Sequence, residues 1–149
     1  MPDRPEIIAI GEGFRTRTFP GTDFHHREHL IMTVYLLKSY PRVDWRRDLP
    51  DMIRRYNESQ GGVNSETAGY HDTITMFHLD LVERIVAAAP DASLEETCAV
   101  VLRSPASDPN LMLRFYSRDR LFSPEARRTW VEPDLAAPDF GALSAAAIA

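Results

Sequence analysis

The longest apolar stretch of the chain runs from about Ala68 to Ala89, where Pro90 stops it, and its spacing is that of one long helix. At ~100° per residue, His71, Ile74, His78, Leu81 and Ile85 share a face, flanked by Thr75 and Val82. Asp72, Asp80 and Glu83 point away from it. Such a stripe has to be buried against other helices.

The rest of the chain supplies them. Asp23 or Thr22 caps a helix expected to reach Tyr40, before Pro41. Its inner face carries His26, His29, Leu30, Thr33, Leu37 and Tyr40. Arg27, Glu28, Tyr35 and Lys38 fall on the outer face, with His25 at the boundary. Asp48-Leu49-Pro50-Asp51 reads as the start of a second helix ending near Ser59, ahead of Gly61-Gly62, with Met52, Ile53 and Tyr56 as its apolar stripe. A polar loop, Gly61 to Thr67, leads into the long helix. Ser93-Leu94-Glu95-Glu96 is a capping box opening a fourth helix to about Arg103. Asp108-Pro109 and Ser123-Pro124-Glu125 open two short ones, the second through Trp130.

The expected fold is therefore all-α: an up-and-down helical bundle of about four main helices plus two short C-terminal helices. Residues 1–23 read as an extended N-terminal arm, with the alternation Phe14, Thr16, Thr18 as a competing short strand. Residues 24–133 form the bundle domain, and residues 134–149 read as a flexible tail. A length of 149 residues fits one domain.

Composition narrows the function. The formal charge of −5 argues against sequence-independent nucleic-acid binding, which needs a basic face. No apolar run approaches the ~20 residues that span a bilayer, and the N-terminus lacks a signal-peptide pattern, so the expectation is a cytoplasmic protein. Abundant arginine, scarce lysine and Ala-rich ends fit a GC-rich bacterial genome. The single Cys98, mid-helix in an apolar stretch, reads as core and excludes an internal disulfide.

What remains is histidine. His25, His26 and His29 lie within seven residues at the start of the first long helix, and His71 opens the third. Short connections favour antiparallel neighbours, so the first and third helices should run parallel, with their N-termini at one end of the bundle. That brings His26, His29 and His71 together and leaves His78 about 10 Å deeper, at ~1.5 Å rise per residue.

Two chemistries follow. Three imidazoles with an open position would hold one divalent transition metal, Zn, Fe or Ni, as in a catalytic site. Alternatively, His29 and His71 act as metal-free general acid and base, with Tyr70 and Glu66 as catalytic helpers. Asn57, Asn64 and Thr75 then supply binding groups at the same end. A second constellation, Arg114 to Arg128, is dense in arginine and aromatics. Arg114, Tyr116 and Arg118 read either as a clamp for an anionic small molecule or as structural packing.

His26-x-x-His29-Leu30, Gly69-Tyr70-His71-x-Thr73-x-Thr75 and Tyr116-Ser117-Arg118-x-Arg120-Leu121-Phe122-Ser123 together resemble a group of small uncharacterised bacterial proteins, over about Phe24 to Asp134. The resemblance implies no particular activity. The histidine cluster is also similar to DinB-type helical bundles, whose metal is held by histidines at one end, although their ligands are spread over more separated helices. The leading expectation is a small enzyme acting on a small molecule at this histidine-lined end. The alternative is a non-catalytic ligand- or partner-binding helical protein with structural histidines. Ile31, Met32 and Tyr35 offer a homodimer contact on the first helix.

Overall fold

Residues 1–146 are described by a computed structural model, and they form eight α-helices joined by loops and short 3₁₀ turns, with no strand among them. These are α1 (Arg4–Arg15), α2 (His26–Ser39), α3 (Trp45–Ser59), α4 (Asp72–Ala88), α5 (Leu94–Arg103), α6 (Arg118–Leu121), α7 (Pro124–Arg128) and α8 (Phe140–Ala145). None of the described helices is long and apolar enough to cross a membrane.

The all-α class is as expected, but the ends of the chain are not. The segment read as an extended arm is α1, and its Ile7, Ile10 and Phe14 are fully buried. Asp3 caps it by accepting the Glu6 N–H at 2.9 Å, and Pro5 sits in the first turn, where a missing N–H costs nothing. Gly11 and Gly13 both lie inside the helix. Gly11 allows close packing, since a Cβ there would meet Tyr35 Cδ1 at 2.0 Å. This contact also places Tyr35 and Glu28 of α2 in the interior, where the helical wheel had put them outside: α1 covers that face. Tyr35 and Tyr40 each donate a hydroxyl to Glu12 at 2.9 Å. With Arg15 bonded to it as the largest cause, the Glu12 carboxyl is held down at about 2.

At the other end, the expected tail contains α8, whose Phe140 packs on Phe77 of α4 with ring centroids 4.9 Å apart. The last part of that tail, residues 147–149, lies outside the described residues. α1 and α8 thus belong to the same core as residues 24–133. The fifth expected helix is only the 3₁₀ turn Leu111–Arg114, preceded by another at Pro105–Ser107, and the sixth stops at Arg128.

α2 and α4 run parallel, as expected. His26 faces His78, and Lys38 bonds the Pro90 carbonyl, two pairs with the same 52-residue separation. The helix starts are not level, however. At ~1.5 Å per residue, α4 begins about 9 Å before α2 in that register. α5 returns antiparallel from its Ser93–Glu96 capping box, so that Ala106 arrives beside His26. α3 starts at Trp45, capped by Asp44, three residues earlier than expected, because Pro50 is tolerated inside it. α3 and the loop after it close the remaining side.

Candidate functional site

A cavity of about 710 Å³ opens between α2, α3, α4 and the loop that precedes α4. Its walls are chiefly apolar, built from Phe24, Leu30, Leu49, Ile53, Tyr56, Ile74 and Leu79. Four histidines line it: His26, His29, His71 and His78. The lining contains no Asp, Glu, Lys or Arg. Every polar group facing this space is therefore neutral unless a histidine takes up a proton.

The histidines have different roles. His71 is not inside the first turn of α4. It is the N-cap, because Gly69 at φ +81 keeps the preceding chain in a loop. Its Nδ1 accepts the Ile74 N–H at 3.1 Å, and its Nε2 donates to the Leu121 carbonyl at 2.6 Å. Both nitrogens are used, and burial lowers its pKa. His71 is a structural connector. His26 donates Nε2–H to the Ala106 carbonyl at 2.7 Å, tying the start of α2 to the end of α5.

His29, one turn further, stands edge-on to Phe24, with ring centroids 4.4 Å apart. Its ring is half-buried and makes no hydrogen bond among the described residues. Burial, with His26 and His78 adding to it, pushes its pKa down to about 4. It is therefore a neutral imidazole at pH 7, with one N–H and one lone pair to offer. His78 donates Nδ1–H to the Ile74 carbonyl at 2.9 Å, leaving a buried Nε2 with no partner, and burial likewise takes it to about 4. Its ring meets that of His26 edge-on at 5.2 Å.

The trio expected from the sequence is therefore not the trio assembled here. His26, His29 and His78 cluster, and His71 turns away toward Leu121. The expectation that left His78 deeper assumed level helix starts, and the 9 Å stagger removes that assumption. The constant register between α2 and α4 was the signal, but nothing in the sequence prints it. As for a metal, His26 has one nitrogen committed and His71 both. No group of three or more His, Cys, Asp or Glu is placed to hold an ion among the described residues. Of the expected His26, His29, His71 set for Zn, Fe or Ni, His71 has both ring nitrogens in hydrogen bonds and His29 has neither.

Of the other expected site residues, Tyr70, Asn57 and Thr75 line the cavity. Tyr70 donates its hydroxyl to Asp72 at 2.7 Å and lies under the Arg54 guanidinium, 4.4 Å from the ring centre. Asn57 donates to Asn64 Oδ1 at 3.3 Å, and Thr75 to the His71 carbonyl at 2.8 Å. Asn64 itself is a loop brace whose Oδ1 accepts the Tyr70 N–H. Glu66 is exposed and pairs with Arg128 at 3.4 Å, away from the cavity.

Arg114, Tyr116 and Arg118 do not line it either. Arg114 reaches Asp108 at 3.4 Å, and fully buried Tyr116 donates to the Val131 carbonyl at 2.7 Å. The arginine-rich stretch thus makes its contacts outside this cavity. It fastens to the start of α4, where Thr73 donates to the Ala126 carbonyl at 2.7 Å and accepts the Val131 N–H at 3.2 Å. Arg127 adds a bond to the Gly69 carbonyl at 2.9 Å. The short polar side chains Thr33 and Gln60 and the aromatic wall of Phe24 and Tyr56 complete the site without having been singled out. No family model, no curated protein and no solved structure matches the chain.

Proposed function

We propose that the protein binds a small, uncharged and largely apolar molecule in this cavity, and that His29 is the side chain that meets the molecule's polar group. The observation that carries this reading is the lining: about 710 Å³ of mostly apolar wall with no formally charged side chain. Pockets that hold drug-sized ligands fall in the range of roughly 300–1,000 Å³. An anionic ligand finds no cation in this lining, so of the two readings of Arg114, Tyr116 and Arg118 the anion clamp does not guide the choice of ligand.

Titration with the neutral fluorescent probe N-phenyl-1-naphthylamine tests this. Saturable binding is expected, and it should be lost when Ile74→Trp fills the space in a variant that keeps its helical circular dichroism. Failure of this probe and of a panel of other neutral apolar compounds to bind would overturn the reading.

A catalytic use of the same site is the second reading, and the free ring of His29 favours it. In that case His29 accepts a proton from the bound molecule. Turnover of a bound compound would then rise with pH through about 4 and level off, the point at which His29 becomes neutral. His29→Gln should abolish turnover while leaving binding within reach of measurement. Binding without turnover would mark a carrier.

A further inference from the structure

The protons of the cavity wall are nearly all spent on the protein itself. Thr33 donates its hydroxyl to the His29 carbonyl at 2.8 Å, and Thr75 to the His71 carbonyl at 2.8 Å. Tyr70 gives its proton to Asp72, and Tyr56 to the Phe19 carbonyl. The N–H of His26 is on Ala106 and that of His78 on Ile74. A hydroxyl or neutral imidazole that has donated its one proton retains only lone pairs. At the mouth Asn57 gives one amide proton to Asn64 and keeps the other, the Thr22 hydroxyl is unpaired among the described residues, and Gln60 donates to Ser59 Oγ at 3.2 Å and the Arg17 carbonyl at 3.4 Å and accepts from Gly21. The inner wall is thus a surface of acceptors. On that inner wall, away from the mouth, His29 is the side chain that still offers both a proton and a lone pair.

The complement of such a wall is a group that brings its own proton. A carboxylate or phosphate brings only acceptors and a charge that nothing in the lining balances. An ammonium brings donors, but its charge meets no carboxylate. An ether or ketone takes the His29 N–H and leaves the lone pairs unanswered. A hydroxyl can give to one acceptor and take from His29, and it carries no charge. Beside His29, the faces of Phe24 and Tyr56, 4.8 Å apart between centroids, provide an apolar wall for the carbon skeleton.

We infer that the ligand is an uncharged hydroxyl compound, an alcohol or phenol, whose hydroxyl docks on His29 while its skeleton lies along Phe24 and Tyr56. This rests on the reading of the cavity as a small-molecule site. A matched series of probes separates the two: 2-naphthol, its methyl ether 2-methoxynaphthalene, and 2-naphthoate, titrated calorimetrically at pH 7. The naphthol should bind about tenfold more tightly than the ether, the worth of one net hydrogen bond. The naphthoate should bind most weakly. In His29→Phe, 2-naphthol and the ether should both weaken by about the worth of the bond that His29 donates to each, with the preference for the naphthol kept.

Equal binding of naphthol and ether to the unaltered protein, or tightest binding by naphthoate, would overturn the hydroxyl inference and leave the cavity reading standing. If none of the three binds, the cavity reading falls and takes the inference with it. The comparison on the unaltered protein decides the matter even if His29→Phe does not fold.

Discussion

The buried, partnerless Nε2 of His78 makes the protein's acid sensitivity a quantity that one substitution should change. His78 and His29 both hold folded pKa values of about 4, against an ordinary histidine value of 6.5. Both are depressed, so between those values the unfolded chain binds more protons than the fold. Their stability contribution is whole above pH 6.5 and is lost as pH falls toward 4. At pH 5, the linkage amounts to about 2 kcal/mol for each histidine relative to pH 7, or about 4 kcal/mol for the pair. His71, shifted the same way, adds to the loss. The depressed carboxyls of Glu12 and Glu28 do not enter, because their contribution disappears only below the usual carboxylate range.

His78→Leu removes one of the titrating groups and the unpartnered nitrogen, and it also relieves His29 of one neighbour that holds its pKa down. The Ile74 carbonyl keeps its helical backbone bond. The variant should be as stable as the parent at pH 7, or more so. Between pH 7 and pH 5 it should lose about 2 kcal/mol less than the parent. Urea unfolding followed by circular dichroism at the two pH values measures both quantities. Equal acid losses in parent and variant would refute the assignment of His78 as a buried neutral imidazole.

Three other outcomes are expected. Thr73→Val keeps the shape of a fully buried side chain but strands the Ala126 carbonyl and the Val131 N–H, so it should cost about 3 kcal/mol, read as a fall of roughly 10 °C in Tm. Conservative loss of the exposed Glu66–Arg128 pair, by Glu66→Gln, should change Tm far less, which separates the two kinds of contact. Cys98 is fully buried and its thiol is pushed up to about 12, so it should resist a disulfide reagent at pH 8 in the native protein and react at once in urea. Rapid native labelling would refute its place in the core.

The bundle was legible where local chemistry decides the outcome. The Ser93–Glu96 box, the stop at Pro90 and the Gly61–Gly62 exit all depend on residues within a turn of one another. The parallel relation of α2 and α4 followed from connection lengths. What escaped was set at long range. Gly11 resembles a helix breaker until Tyr35 is laid against it, and Glu28 resembles an outward residue until α1 covers it. The same long-range dependence decides which side chains meet at the cavity. His26 and His29 stand at the cavity, but which residue of α4 they meet depends on a stagger between helices that packing alone sets. The arginine-rich stretch left a ligand clamp and structural packing open in the sequence, because guanidinium groups serve backbone carbonyls as readily as anions. Arg120 on Glu132 and Arg127 on Gly69 do so here.

The Thr73 junction also has a consequence in time. The start of α4 is joined to carbonyl and amide groups 53 to 58 residues later in the chain. During synthesis, α1 to α5 can collapse against one another while His71 still lacks Leu121 and Thr73 still lacks Val131. The wall of the cavity that these residues hold is therefore the last to set. A nascent chain stalled before Val131 would carry a pocket with one side unfastened, and its apolar lining would be open to whatever meets it first.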